Sequence, residues 1–138
     1  MQLTFRLKKA PEYIFDCLSD MQKFVQVHPI ISKIEETGPD NYLVYETLQL
    51  AWIPISFTYP VTVKQDAHRK EVEIRATVMK FTKIELKFVL KAEQDHTVVV
   101  EHIRIRSPFP VKYLMQRIFR KQHGLLFKNM ESGQALLP

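Results

Sequence analysis

The C-terminal segment is the feature that most constrains the fold of this chain. From Val111 onward apolar residues recur at helical spacing, which predicts one amphipathic helix. Ser107 can cap this helix, and Pro108 and Pro110 fall in its first turn, where proline is tolerated. The pattern extends to about Leu137, so the helix would have about 28 residues and a length of roughly 40 Å. Such a helix would cross the whole of the layer against which it packs.

The segment between residues 30 and 106 has the alternating pattern of antiparallel strands. Turn-forming residues at 38–41, 66–69 and 94–96 divide it into short-linked runs, so neighbouring strands would form hairpins. In two successive runs the apolar side chains share one face, at Val72, Ile74, Ala76, Val78, Ile84, Leu86, Phe88 and Leu90. A strand at residues 3–7 and two short helices come before this segment. The element order predicts an α+β fold with an antiparallel sheet of which one face is wet.

The opening stretch Leu7–Asp20, LKKAPEYIFDCLSD, resembles the beginning of START-like superfamily domains. That superfamily includes birch-pollen-allergen-like proteins, polyketide cyclases and coenzyme Q-binding proteins. The resemblance extends over the whole chain in element order, although many members carry Trp where this chain has Val27-His28-Pro29. It implies a helix-grip fold, in which a seven-stranded antiparallel sheet wraps around the long C-terminal helix. It also implies an apolar cavity between the sheet and that helix.

The apolar stripe of the last helix contains two amides, Gln122 and Asn129, which are seven residues apart. If the stripe faces a cavity, these side chains are polar contacts for a ligand, since apolar pockets usually contain a few polar groups. Alternatively, each amide bonds a sheet residue or a water molecule, or the helix protrudes beyond the sheet at Asn129. We expect a ligand cavity to be lined by Phe57, Tyr59, Phe88, Ile103, Leu114, Ile118, Gln122 and Asn129.

The opposite face of the same helix is basic. Residues 104–138 contain seven Lys and Arg and one acid, against a net charge of +5 for the whole chain. The face that carries Arg117, Arg120, Lys121 and Lys128 suits an anionic membrane or an acidic protein, or is simply solvated. Tyr113 and Phe127 lie on this face, either exposed or covered by the N-terminal helices. No nucleic-acid recognition motif accompanies the charge, so we predict no nucleic-acid partner.

The uncharged run at residues 48–57 contains the only tryptophan, Trp52. Pro54 interrupts the run, which predicts a strand, a loop and a second strand. An exposed loop would be an apolar tip suited to a pocket mouth or a membrane surface. Alternatively, and with equal weight, this run forms a sheet edge that folds over the core.

One acidic residue falls on the apolar side of a predicted strand. Glu101 has the parity of Val99 and Ile103, so a regular strand would turn its carboxyl group inward, where it could act as a general acid or base. A β-bulge would instead turn it outward, and we favour the bulge. Glu46, beside Val44, raises the same question. The sequence therefore predicts no catalytic residue, and Glu101 is the one candidate if the protein is an enzyme.

Motifs for metals and cofactors are not found in the sequence. The five histidines have no H-x-H or H-E-x-x-H spacing, and there is no P-loop, dinucleotide-binding glycine motif or nucleophile elbow. We therefore predict no metal and no cofactor. The single cysteine, Cys17, excludes an intramolecular disulfide, and the first residues form no apolar signal segment, which together predict a cytoplasmic protein. We expect residues 1–138 to form one START-like domain.

These patterns favour a non-enzymatic carrier or sensor of a hydrophobic small molecule, such as a lipid, a quinone or a polyketide-like compound. The ligand would lie between the sheet and the last helix. One alternative is an enzyme of the polyketide cyclase or dehydratase type that uses acid–base residues in the same cavity. Another is an interaction module whose basic helix face contacts an anionic membrane or a protein. The sequence makes no prediction of oligomeric state.

Overall fold

The structure, a computed structural model, describes residues 1–133, which form seven strands and three helices. In chain order the elements are β1 (Gln2–Leu7), α1 (Pro11–Ser19), α2 (Met21–Val27), β2 (Ile31–Gly38), β3 (Asn41–Leu50), β4 (Ile53–Asp66), β5 (Glu71–Val78), β6 (Thr82–Ala92), β7 (Thr97–Arg106) and α3 (Lys112–Ser132).

The strands form one antiparallel sheet in the order β1-β7-β6-β5-β4-β3-β2. From β2 to β7 each strand lies beside the next in sequence, as expected for strands joined by short turns. β1 and β2 occupy opposite edges of the sheet, and α1 and α2 connect them. The apolar face predicted for β5 and β6 is buried at Val72, Ile74, Ile84, Leu86, Phe88 and Leu90. The predicted helix-grip fold is confirmed.

The two short helices begin where the sequence indicates. Pro11 is the first residue of α1, and Asp20 is the N-cap of α2. The Asp20 carboxylate accepts hydrogen bonds from the N–H groups of Gln22 at 2.9 Å and Lys23 at 3.4 Å, which satisfies donors that the helix leaves unpaired. Apolar residues of both helices, including Ile14 and Phe24, are buried in the core of the fold.

The long helix begins later than the sequence predicts. α3 starts at Lys112, so Ser107 and both prolines lie in the loop that precedes it. A residue before proline is disfavoured in the helical conformation, and this applies to both Ser107 and Phe109. The Ser107 hydroxyl accepts the Phe109 N–H at 3.2 Å and lies 2.8 Å from the Thr82 hydroxyl, instead of capping α3.

The end of α3 also differs from the prediction. The helix ends at Ser132, because Gly133 adopts a left-handed conformation with φ of 70°. The Gly133 N–H then bonds the carbonyl groups of Asn129 and Met130, a common way of closing a helix. The predicted extension to Leu137 lies outside the described residues.

The buried face of α3 is rotated from the predicted stripe. The residues buried on this helix are His123, Leu126, Phe127 and Met130, so the face is centred beside Gln122 and Asn129 rather than on them. Phe127 is only 2% exposed, whereas Tyr113, the other aromatic residue predicted on the basic face, is exposed. The Phe127 ring stacks on Phe5 of β1, with ring centroids 4.4 Å apart, and it also contacts Phe88. The edge strand β1 therefore covers a part of α3 that the sequence pattern assigns to its outer face.

Candidate functional site

A cavity of about 320 Å³ lies between α3 and the concave face of the sheet. Most of its wall is hydrocarbon from α2, from β2 to β6, and from the first half of α3. The apolar part of the wall includes Met21, Phe24, Ile34, Val44, Leu48, Leu50, Ile55, Phe57, Val61, Ile74, Ala76, Val78, Ile84, Leu86, Leu114, Met115, Ile118 and Phe119. The volume falls at the lower end of the range of small-molecule pockets.

Five of the residues predicted to line a ligand cavity lie on its wall. They are Phe57, Tyr59, Leu114, Ile118 and Gln122. Phe57 and Tyr59 come from β4, where their rings lie 5.8 Å apart on the same face of the strand. The structure thus brings together residues that are more than 50 positions apart in the sequence.

The other three predicted residues, Phe88, Ile103 and Asn129, do not line the cavity. Phe88 and Ile103 are buried in the part of the core where the second half of α3 closes against β6 and β7. The Asn129 amide donates a 2.8 Å hydrogen bond to the carbonyl group of Val27, the last residue of α2. Asn129 therefore joins two helices, and its partner is a helix carbonyl group rather than the ligand, sheet residue or water molecule that the sequence suggested.

The inward orientation of Glu101 corrects the expectation from the sequence. Glu101 pairs with Leu3 of β1 and with Phe88 of β6 in uninterrupted register, so the favoured β-bulge is wrong. Its side chain is fully buried. A carboxyl group in that position needs a nearby counter-charge or proton, because an unpaired buried charge is very costly.

The partner of Glu101 is His123 of α3, which the sequence analysis overlooked. His123 Nδ1 and Glu101 Oε2 lie 2.6 Å apart. The ring N–H is not well aligned with the oxygen, and neither Glu101 oxygen has a hydrogen-bond partner among the described residues. The contact therefore pairs an acidic with a basic side chain in the core without a direct hydrogen bond between them. His123 also lines the cavity, so the ring lies between Glu101 and the open space. Helical spacing from Phe119, Leu126 and Met130 is the signal that could have identified it.

A second histidine, His28, lines the cavity from the end of α2. Its Nδ1 accepts the N–H groups of Ile30 and Ile31, each at 3.3 Å. Burial lowers the pKa of His28 to about 3, and the nearby His123 contributes to this shift. The ring is therefore neutral at ordinary pH, and because Nδ1 is an acceptor, the proton resides on Nε2.

An acid and a phenol form a third polar contact on the wall. The Tyr59 hydroxyl donates a 2.7 Å hydrogen bond to Glu46 Oε1 across the β3–β4 pair. Burial raises the pKa of Glu46, although the bond from Tyr59 and the proximity of His123 oppose the shift. Burial and the neighbouring Glu46 raise the pKa of Tyr59 well above its usual value. Gln122 is also on the wall, and its Oε1 is buried without a hydrogen-bond partner among residues 1–133.

Three connections meet at one end of the sheet and surround the mouth of the cavity: the β3–β4 turn, the β5–β6 turn and the loop before α3. The β3–β4 turn is at Ala51-Trp52, and Pro54 lies within the ladder opposite Gln49. Trp52 is 84% exposed. The other exposed apolar side chains at this end are Ile53, Met79, Phe81, Phe109, Tyr113 and Leu114.

The predicted basic residues Arg117, Arg120, Lys121 and Lys128 are all exposed on α3. Cations also surround the mouth, where Lys80 and Lys83 come from β5–β6 and Lys112 from the start of α3. Residues 47–57, 77–84 and 104–121, which form the mouth, contain no acid. The open end of the molecule therefore has a positive electrostatic potential.

No group of three or more His, Cys, Asp or Glu within residues 1–133 is arranged to hold a metal ion. No helix of the same residues is long and apolar enough to cross a membrane.

No family model and no curated protein sequence matches the chain. Solved structures do match it. A START superfamily protein from Mycobacterium smegmatis is 18% identical with a TM-score of 0.74, over 100% of this chain and 98% of that one. Ara h 8.0201 is 16% identical with a TM-score of 0.72, over 99% and 96%. The Zhui aromatase/cyclase from Streptomyces sp. R1128 is 12% identical with a TM-score of 0.68, over 99% and 92%. The chain shares the helix-grip fold with these structures.

Proposed function

We propose that this helix-grip chain is a carrier or sensor that binds a hydrophobic small molecule in the cavity under α3. The observation that carries the proposal is the cavity itself, about 320 Å³ of space with a wall composed mostly of apolar side chains. Atoms that line such a space lack the dispersion contacts that a packed core provides, and an apolar ligand would restore them. The aromatase/cyclase and START neighbours support this use at the level of the superfamily.

The same neighbours support the proposal that residues 1–138 form a single START-like domain, because the matches cover nearly all of each chain. The single cysteine, Cys17, is buried in α1 and free. It supports the predicted cytoplasmic location, which stays a proposal.

Binding can be tested with N-phenylnaphthylamine, a neutral fluorescent probe of apolar cavities. We expect the probe to raise the melting temperature by several degrees when present in large excess over its Kd, since it binds only the native state. Ile118→Trp should fill the cavity and abolish both the fluorescence increase and the thermal shift. Leu125→Trp is the matched control, because Leu125 is on the same helix but off the cavity wall. Equal binding by the two variants, or no binding by the wild type, would contradict the proposal.

An acid–base enzyme of the cyclase or dehydratase type is the second candidate. The observation in its favour is the inward Glu101, which contacts the ring of His123 on the cavity wall. A base oriented by a carboxyl group is a recurrent catalytic arrangement. In a dehydration, a base would remove a proton from the carbon beside a ketone, and the β-hydroxyl group would leave as water after protonation.

A β-hydroxyketone of suitable size tests this alternative through the absorbance of the enone product. Turnover that is lost in His123→Phe while N-phenylnaphthylamine still binds would establish the enzyme. A wild-type rate equal to that in buffer would exclude this reaction.

Contact with an anionic membrane is the third candidate, and it now involves the mouth as well as the predicted residues Arg117, Arg120, Lys121, Lys128 and Trp52. In its favour, exposed apolar tips and cations without acids occur together at the opening of the cavity. Apolar tips can enter the headgroup region while the cations face anionic lipid. A ligand could then pass directly between bilayer and cavity.

Trp52 provides the assay, because it is the only tryptophan in the chain. Vesicles of phosphatidylserine and phosphatidylcholine should shift its emission to shorter wavelength, and high salt should weaken the effect. Pure phosphatidylcholine vesicles are the control for charge. Lys112→Glu/Arg117→Glu should abolish the shift, whereas Lys64→Glu, far from the mouth on β4, should not. A shift that is independent of lipid charge and salt would argue against this candidate.

A further inference from the structure

The ionisable groups of the cavity wall are gathered at one end of it, whereas the Thr82 hydroxyl, near the mouth, is paired with that of Ser107. Glu46 precedes the mouth residue Leu50 by four positions on β3, which corresponds to about 13 Å along a strand. His123 follows the mouth residue Leu114 by nine positions on α3, which also corresponds to about 13 Å along a helix. Both measures place Glu46 and His123 at an inner end of the cavity, about 13 Å from its mouth.

Backbone pairing brings the groups of this inner end together. Ile31 is opposite Glu46 in the β2–β3 register, and the Ile31 N–H is one of the two that bond His28 Nδ1. The rings of His28 and His123 are perpendicular, with centroids 6.2 Å apart. Glu46, Tyr59 and His28 remain partly exposed although they are deep within the fold, so the surface that they expose faces the cavity.

Some hydrogen-bonding atoms of Glu46, Tyr59 and His28 are paired within the protein, and others are available to a ligand. The Tyr59 hydroxyl and Glu46 Oε1 satisfy each other, which leaves the second carboxyl oxygen of Glu46 as an acceptor. His28 accepts at Nδ1, so its Nε2–H is a donor. A neutral group that both donates and accepts a hydrogen bond would complement this pair. A hydroxyl group is the smallest group of that kind.

We propose that the inner end of the cavity binds the hydroxyl group of an uncharged and otherwise apolar ligand, an alcohol or a phenol. The hydroxyl donates to the Glu46 carboxyl group and accepts from His28 Nε2–H, and the hydrocarbon part fills the cavity toward the mouth. This inference rests on the proposed binding of a hydrophobic ligand and names the chemical class of that ligand. Glu46 is its acceptor and His28 its donor.

The charges around the cluster oppose a ligand with an anionic head. Glu46 and Glu101 are both acidic residues at this end, the one other histidine there, His123, is already in contact with Glu101, and the neutral His28 supplies no compensating charge. A carboxylate would therefore lose its hydration without gaining a cation. A ligand with a methyl ether in place of the hydroxyl keeps its hydrocarbon part and its acceptor oxygen but loses its donor, so Glu46 would remain unpaired.

A matched series of naphthalenes tests the inference by calorimetry: β-naphthol, β-methoxynaphthalene, β-naphthoate and β-naphthylmethylamine. We expect β-naphthol to bind roughly tenfold tighter than the methyl ether, the effect of about one buried hydrogen bond. The naphthoate should bind more weakly than either neutral compound. The protonated amine should also bind more weakly than β-naphthol, because its ammonium group has only donors and leaves His28 Nε2–H without an acceptor.

The double variant Glu46→Leu/Tyr59→Phe removes the acceptor and the hydroxyl that it satisfies, so no buried group is left unpaired. It should bring the affinities for β-naphthol and its methyl ether to within about threefold. His28→Phe should weaken both ligands and leave their ratio near that of the wild type, because the hydroxyl and the ether oxygen can both accept from His28 Nε2–H. Ile55→Val is the control, since it alters only the hydrocarbon wall and should weaken both ligands alike.

Two results would overturn the inference and are distinguishable from failure of the proposed function. If the wild type binds β-naphthol and its methyl ether equally, or prefers the naphthoate or the amine, the cluster does not recognise a hydroxyl, although the cavity still binds ligands. If the wild type binds none of the four compounds, nor N-phenylnaphthylamine, the proposed function fails as well.

Discussion

The two ends of the molecule differ in how the same long helix is used. At the anchored end, formed by α1, α2 and the second half of α3, the inward residues of α3 from His123 to Met130 are buried. At the open end, formed by the first half of α3 and the turns around the mouth, Leu114 is 47% exposed and Trp52 is 84% exposed. Burial of the second half of α3 against β1, β6 and α2 holds the helix in place. This leaves the first half free to cover a cavity.

The largest expected difference in the free energy of unfolding is between alanine variants of two phenylalanines on α3, Phe127 and Phe119. Phe127→Ala should lower the free energy of unfolding by about 4 kcal/mol, because a fully enclosed ring is removed from contacts with Phe5 and Phe88. Phe119→Ala should cost about 1–2 kcal/mol, because part of that ring already faces the cavity. Urea denaturation measures both. Similar losses would break the distinction between the two ends.

The next largest effect on the free energy of unfolding is expected for the buried pair of the anchored end, Glu101 and His123. His123→Phe should lower the free energy of unfolding by about 3 kcal/mol, because Glu101 is left buried without its partner. Adding Glu101→Leu should restore at least half of that loss, since no charged group then remains in the core. A double-mutant cycle measures the coupling. Strictly additive losses would show that the two side chains do not stabilise each other.

Titration of His28 should make the stability of the anchored end depend on pH. The pKa of His28 is about 3 in the folded chain and near 6.5 when unfolded, so the unfolded chain binds the extra proton between these values. Stability should therefore be fully present above pH 6.5 and should decrease as the pH falls, by up to about 1.4 kcal/mol per pH unit. His28→Phe should reduce this slope in urea denaturation.

The other titratable groups near His28 also contribute to the pH dependence of stability, so the variant must be compared with the wild type. Glu46, with a raised pKa, works in the opposite direction, because its carboxyl group takes up a proton more readily in the folded state. Glu46, Glu101 and His123 are present in both proteins, so the difference between the two slopes reports the titration of His28 together with its coupling to His123. Identical slopes would mean that His28 is solvated.

The smallest expected changes in the free energy of unfolding are for two side chains near the surface of α3, Asn129 and Leu114. Asn129→Ala should cost about 1 kcal/mol, because the Val27 carbonyl loses its hydrogen bond at the end of α2. Leu114→Ala, at the mouth, should change the free energy of unfolding by about 0.5 kcal/mol or less. Thermal denaturation at neutral pH checks both values. A larger loss at Leu114 would indicate that the mouth contributes to folding stability.

Much of the fold follows from local sequence patterns. The alternation along β5 and β6, the turns between strands and the cap at Asp20 each depend on residues that are close in sequence. The start of α3 shows the limit of such reasoning. The predicted helix included Pro108 and Pro110 in its first turn, but each proline disfavours the helical conformation in the residue before it. Part of the candidate site was also accessible, since five of the eight residues predicted to line the cavity lie on its wall: Phe57, Tyr59, Leu114, Ile118 and Gln122.

The sequence by itself determined the element order, the strand faces and the presence of a long apolar helix, because period and turn chemistry are local properties. The tertiary structure decided which residues of that helix face the sheet, that Glu101 meets His123, and that His28 and Glu46 share the inner end of a cavity. The physical reason is that a wide apolar stripe can pack in several rotations. Only contacts between distant elements, such as Phe127 on Phe5, select one of them.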